Sequence, residues 1–289
     1  MKDHMIRATA AEGKVRAFAV SSTELTENLR KRHGTWPTAT AAMGRTVSAG
    51  AMMGAMLKDN QKVTVQIKGD GPIGQIVVDA NASGQVRGYV ANPLVDFPLN
   101  EMGKLDVAGA VGREGFLYVI KDLGLKDPYR GSVPIVSGEI AEDFTYYFAK
   151  SEQTPSAVAL GVLVDRDTSV KTSGGYIVQL LPGVPEEEIE RIEQAIAKVR
   201  PVSEMLHSGL TPEQMLKQVL PDMRILDQIP LEFKCRCSAD RVRRMITQLG
   251  ADEVRSMIEQ DGGAEVVCHF CNEKYQFDKQ QLQQVLKEM

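Results

Sequence analysis

Four cysteines, Cys235, Cys237, Cys268 and Cys271, fall within 37 residues near the end of a 289-residue chain that has none before them. No other feature limits the fold as much. Residues 231–289 are fewer than the ~70–80 at which a lone apolar core suffices without a staple. Clustered thiols in a reducing compartment are more often metal ligands or redox groups than a static disulfide framework. The local pattern predicts where they meet. Ser238 caps a helix over "ADRVRRMITQLG", and "ADEVRSMIEQDGG" reads as a second helix. "AEVVCHF" and "KYQF" read as strands flanking a tight turn, and Asp278 caps a last helix, "KQQLQQVLKEM".

That turn puts Cys268 and Cys271 on a knuckle. With Cys235-Arg-Cys237 they form a four-sulfur set for one Zn²⁺ per reduced chain, with Zn–S near ~2.3 Å. A closed four-thiolate shell leaves no position for water, so the expected metal is structural. His269, inside the knuckle, reads as a neighbour rather than a ligand. Two resting disulfides are the competing reading. Lys234, Arg236, Arg241, Arg243 and Arg244 surround the first pair in sequence. Positive charge there would favour thiolate, although for the three arginines from 241 on a solvated helix face is the simpler account.

Upstream, residues 1–183 read as an α+β body. "GKVRAFAVSS" alternates like a strand, and "STELTENLRKRHG" is a helix with a Ser/Thr cap and Gly34 at its end. Residues 38–58 form a small-residue helix whose Met43, Met52, Met53 and Met56 suit a core. "QKVTVQIKG", "GQIVVDA" and "GQVRGYVAN" make a β-meander, and further strands are predicted at "DFTYYFAKS", "AVALGVLVDR" and "GGYIVQLLPG". Residues 184–230 turn to short helices punctuated by proline and ending at Pro230, with nine acids against five bases. Such helices hold only while docked on something, so this segment is expected to be a conditional linker. The expected architecture is therefore a mixed sheet-and-helix body (1–183), a helical linker (184–230) and a small C-terminal zinc-binding domain (231–289).

Composition excludes several functions. The net charge is −4, and residues 231–289 hold nine bases against ten acids before four thiolates and a dication are counted. Phosphate binding draws on positive charge, so a zinc-ribbon nucleic-acid-binding regulator is only the alternative reading. Gly69-Asp-Gly71-Pro-Ile-Gly74 matches a dinucleotide fingerprint, but the strand-like "QIVVDANASG" follows where a helix is required. Cys268-His-Phe-Cys271 lies between strands, not at the helix start of a thiol oxidoreductase. No nucleophile–base pair or carboxylate pair has supporting context, so no enzyme activity is expected. The N-terminus lacks the apolar run of a secretory signal, and no window reaches the ~18 apolar residues of a membrane span. A cytoplasmic protein is expected.

The spacing C-x-C, 30 residues, C-x-x-C is joined upstream by "GDGP", "GQVRGYV", "SEQTPSAVALGVLV" and "SGGYIVQLLPG" ahead of a helical linker. Together these resemble the heat-shock protein 33 family of redox-regulated molecular chaperones over essentially the whole chain. The resemblance implies an ATP-independent holdase, silent while reduced and zinc-bound. It implies that oxidation pairs Cys235 with Cys237 and Cys268 with Cys271, releases zinc and unfolds the C-terminal region with the linker. The active form would be a homodimer binding unfolded or aggregation-prone client proteins.

Overall fold

The computed structural model describes residues 2–289 and divides the chain into two units, Met1–Lys234 and Cys235–Met289. The first unit opens with strands β1 (His4–Ala10) and β2 (Val15–Ser21), then helices α1 (Thr23–His33) and α2 (Pro37–Ala55). The meander follows as β3 (Lys62–Gly69), β4 (Gln75–Asn81) and β5 (Gln85–Val90). Next come α3 (Val107–Val111), β6 (Gly115–Asp122), β7 (Tyr129–Pro134), α4 (Ala141–Lys150), β8 (Ser156–Val164) and β9 (Val170–Leu180). Helices α5 (Glu186–Lys198), α6 (Val202–His207) and α7 (Pro212–Lys217) precede β10 (Arg224–Pro230) and the two-residue β11 (Glu232–Phe233).

These strands build two sheets, one ordered β10-β1-β2-β9-β8 and the other β11-β5-β4-β3-β6-β7. Every pairing is antiparallel except β11 on β5. The fold class is α+β. Helix α2 packs on β3, β4 and β5 of one sheet and on β2, β8 and β9 of the other. It is buried on all sides, which its sequence permits because nearly every residue is small. A Cβ at Gly50 would fall 2.8 Å from Val78, and one at Gly54 would fall 2.8 Å from the Asn81 carbonyl. Met43, Met52 and Met53 are wholly enclosed in this core.

The opposite face of the first sheet carries Ile6, Ala8, Ala17, Ala19, Tyr176 and Val178. It is covered by Ile192 of α5, Met205 and Leu206 of α6, and Met215 and Leu216 of α7. Polar ties to this cover are few: Ala11 N–H donates to Asp222, Thr172 to the Ser203 carbonyl, and His4 pairs with Glu213. Apolar contact dominates.

Two expectations change. "DFTYYFAKS" is the helix α4, not a strand. Its aromatic residues have strand propensity, but Phe144, Tyr147 and Phe148 share one helical face and are buried together, while Asp143 accepts from the Val136, Ser137 and Ile140 amides. Residues 224–230, expected among the short helices, form β10, whose largely exposed residues are held by backbone pairing to β1. The glycine fingerprint is the turn between β3 and β4, where a Cβ at Gly69 would strike the Val111 carbonyl. Among the described residues no helix is long and apolar enough to cross a membrane.

The cap of α1 comes from far away in sequence. Ser22 makes no cap bond, its hydroxyl lying 2.8 Å from that of Ser48 and 3.0 Å from that of Ser173. Instead Asp3 Oδ2 accepts the Leu25 N–H at 2.7 Å, while Oδ1 is buried without a partner. Burial, only partly offset by the backbone amides, lifts the Asp3 carboxyl from its ordinary 3.8 to about 6. The folded state thus holds this proton more tightly than the unfolded chain. Its contribution to stability is full below pH 3.8 and is lost as pH rises through about 6. Asp3→Asn removes the titration while keeping an acceptor. Relative to wild type the variant should gain on the order of 2 kcal/mol between about pH 4 and 7, at about 1.36 kcal/mol per pKa unit. Urea midpoints at both pH values check this; parallel wild-type and variant profiles would refute it.

Candidate metal centre

The second unit contains α8 (Ala239–Gln248), α9 (Ala251–Ser256), the hairpin β12 (Gly263–Val267) and β13 (Lys274–Asp278), and α10 (Lys279–Glu288). Its elements start where the sequence predicts: Ser238 Oγ accepts the Arg241 amide, and Asp278 accepts the Gln281 amide while Gln281 caps back. Its fully enclosed apolar residues are few, drawn from Val242, Ile246, Val254, Ile258, Phe277, Leu282 and Val285.

Backbone hydrogen bonds shape the knuckle. Cys268 N–H donates to the Glu273 carbonyl at 2.9 Å, closing the hairpin end, and the Cys271 and Asn272 amides both donate to the Cys268 carbonyl. Asn272 takes the left-handed conformation, φ 59°, which an Asn tolerates better than most residues. The other arm, Cys235 to Cys237, is irregular and leads into the α8 cap.

The four Sγ atoms lie within 4.8 Å of one another. Cys235 and Cys237 are 3.4 Å apart, Cys235 and Cys268 3.7 Å, and Cys237 and Cys271 3.3 Å. A tetrahedron with ~2.3 Å metal–sulfur arms has edges of about 3.8 Å, so the donor set fits a four-thiolate metal shell with little adjustment. All four are free thiols; Cys271 is buried and the others half-buried. His269 does not join the group. Sulfurs from different arms approach as closely as those within one arm, so distance alone selects no disulfide pairing.

The electrostatics are uneven. Burial alone would raise Cys235, but the Cys237 backbone amide and hydrogen bonds from the other three thiols hold it down, to about 7. Burial pushes Cys268 and Cys271 up, and donating to neighbouring sulfur favours their protonated forms further. The sequence-adjacent bases do not cause these shifts: Arg241 donates to the Arg236 carbonyl and Arg243 to Glu288. A residue that the sequence reading passed over is Tyr275 on β13. Its hydrogen bond to the Cys237 sulfur raises the phenol, which keeps its proton to donate. Only the hairpin register, which pairs Tyr275 with Val266, brings it there.

Three comparisons with known proteins agree. The family model described as "Hsp33 protein" matches residues 3–278. A 33 kDa chaperonin of Brevibacillus brevis is 56% identical over the full length of both chains. One of Staphylococcus aureus is 50% identical over 99% of each. The crystal structure of a 33 kDa chaperonin from Thermotoga maritima, a heat shock protein 33 homolog, superposes with a TM-score of 0.93 at 40% identity. That match covers 99% of this chain and 98% of the other.

Proposed function

The chain belongs to the Hsp33 family of chaperones, and from that premise we propose that it is an ATP-independent holdase governed by the redox state of Cys235, Cys237, Cys268 and Cys271. The observation that carries this reading is the convergence of four thiols in a unit with a small apolar core. In the reduced, resting protein these sulfurs would hold one Zn²⁺, whose contribution is a structural cross-link between the C-x-C arm and the knuckle.

Oxidation withdraws the ligands. Each pair of thiolates gives two electrons to one peroxide and forms one S–S bond, and the peroxide, taking two protons from solvent, leaves as two waters. With both pairs oxidised no thiolate is left to bind metal, and Cys235–Met289 loses its staple. Release of α5, α6 and α7 then uncovers the sheet face of Ile6, Ala8, Ala17, Ala19, Tyr176 and Val178 to client proteins. The active form is a cytoplasmic homodimer. The test is metal content measured alongside suppression of client aggregation, before and after peroxide with mild heat. Metal loss should track the gain of activity. Activity that is equal in the reduced, metal-loaded protein would overturn the switch.

The pairing proposed for the oxidised state is Cys235–Cys237 and Cys268–Cys271. As the unit opens, sulfurs on one arm stay close through the short chain between them, whereas the two arms separate. Peptide mapping after peroxide should find these local bonds in the majority. A majority of bonds between the arms would refute it.

A further inference from the structure

We propose that the free edge of β8 is a docking site for an extended apolar segment of a client polypeptide, which adds to the first sheet as a further strand. This rests on the holdase reading above and says where that activity makes backbone contact.

The edge is open, and its hydrogen-bonding groups can be assigned. Leu180 N–H donates to the Pro155 carbonyl, and the register sets Ser156 opposite Gln179. Pro155 and Leu180 are therefore a hydrogen-bonded pair of the antiparallel ladder. Alternation then turns the backbones of Ala157, Ala159 and Gly161 toward β9 and those of Val158, Leu160 and Val162 away from it. β8 ends its sheet, so these three residues each offer one N–H and one C=O that no strand takes up.

The other edges of the two large sheets are guarded. β10 carries Arg224, Asp227 and Pro230, β7 carries Arg130 and Pro134, and β11 is two residues long with Glu232. Charge, proline and brevity are the usual means of preventing strand addition. β8, "SAVALGVLV", has no charge and no proline over nine residues, and only Gly161 is fully buried. It borders a groove of about 750 Å³ whose walls include Leu105, Ile196, Val199 and Val202, with Lys104, Glu142, Arg200 and Glu204 also in its lining. Arg45 at the rim is already paired with Glu139.

These features fit one class of partner. A row of alternating donors and acceptors at strand spacing is matched only by extended backbone, and the uncharged, apolar residues of β8 itself favour apolar side chains beside them. Backbone recognition is indifferent to sequence, which suits a protein that must bind many unfolding chains. Ile196, Val199 and Val202 belong to α5, α6 and the turn between them, so release of those helices would join the edge to the uncovered sheet face.

The probe is a permanently unfolded client, reduced and carboxymethylated lactalbumin, mixed with the peroxide-activated full chain. Amide exchange at Val158, Leu160 and Val162 should slow by about ten-fold or more in the complex, as expected for newly paired strand amides. In parallel, Leu160→Pro removes an outward N–H without breaking the ladder to β9, as proline on an edge strand can. Leu160→Ala reports the loss of the side chain alone. The proline variant should suppress aggregation several-fold less well than the alanine variant. Unchanged exchange at the three amides while the wild type binds client overturns the proposal, whether or not the proline variant folds. So does their protection before client is added, which would make the occupant a second copy of the chain. An activated wild type that neither binds nor suppresses client sinks the holdase reading itself.

Discussion

The double substitution Cys268→Ser with Cys271→Ser should leave the chain with well under one equivalent of zinc and with residues 235–289 unfolded. Two of four ligands cannot close a tetrahedral shell, and metal binding in small thiolate domains is worth on the order of 10–16 kcal/mol of apparent folding free energy. Against that stand seven buried apolar side chains, at about 1.5–3 kcal/mol each before the cost of ordering the backbone. Ordering the backbone of Cys235–Met289, at about 1–2 kcal/mol per residue, costs more than that burial returns, so the cross-link decides whether the unit folds and its loss should be all-or-none. Metal analysis with amide exchange over α8 and α10 measures the outcome. Full zinc occupancy, or retained protection of those helices, would mean that the four-sulfur assignment is wrong.

The second large effect is expected from Ile192→Asp. Ile192 is the one fully buried residue of α5, at 3% exposure, and lies among Val202, Met205 and Leu216 on the covered sheet face. An unpaired carboxylate there costs several kcal/mol unless the segment lets go. Short helices such as α6 and α7 persist only through packing, so letting go is the cheaper response. The reduced variant should therefore suppress client aggregation in part while retaining its full zinc. A variant that stays folded, zinc-loaded and wholly inactive would refute the conditional role of α5–α7. General aggregation of the variant would mean that these helices belong to a permanent core.

What the sequence made legible follows from the range of the interactions involved. The meander β3–β5, the β12–β13 knuckle and the caps of α8 and α10 rest on contacts between near neighbours, and their turn and cap residues announce them. The two misread segments depend on distant partners. α4 carries an aromatic pattern compatible with either period until Phe144, Tyr147 and Phe148 are seen to share one burial site. β10 has weak strand character of its own and exists because β1 supplies a ladder. The Asp3 cap on α1 and the Tyr275 hydrogen bond to Cys237 were unreadable for the same reason. The cysteine cluster was legible because so few residue types hold a metal.

The pairing of β1 with β10 also bears on how each molecule is made. His4 lies opposite Pro230, so one of the first strands to leave the ribosome waits for one of the last. Strand β2 can pair with β1 early and β9 with β2 once it is made, yet the face that α5–α7 cover stays bare until those helices are synthesised. At about 5–20 residues per second that interval lasts several seconds. Every newborn chain thus passes through a form with the same uncovered face that oxidation is proposed to restore. During that interval the growing chain is exposed to aggregation through the face it will later use for others.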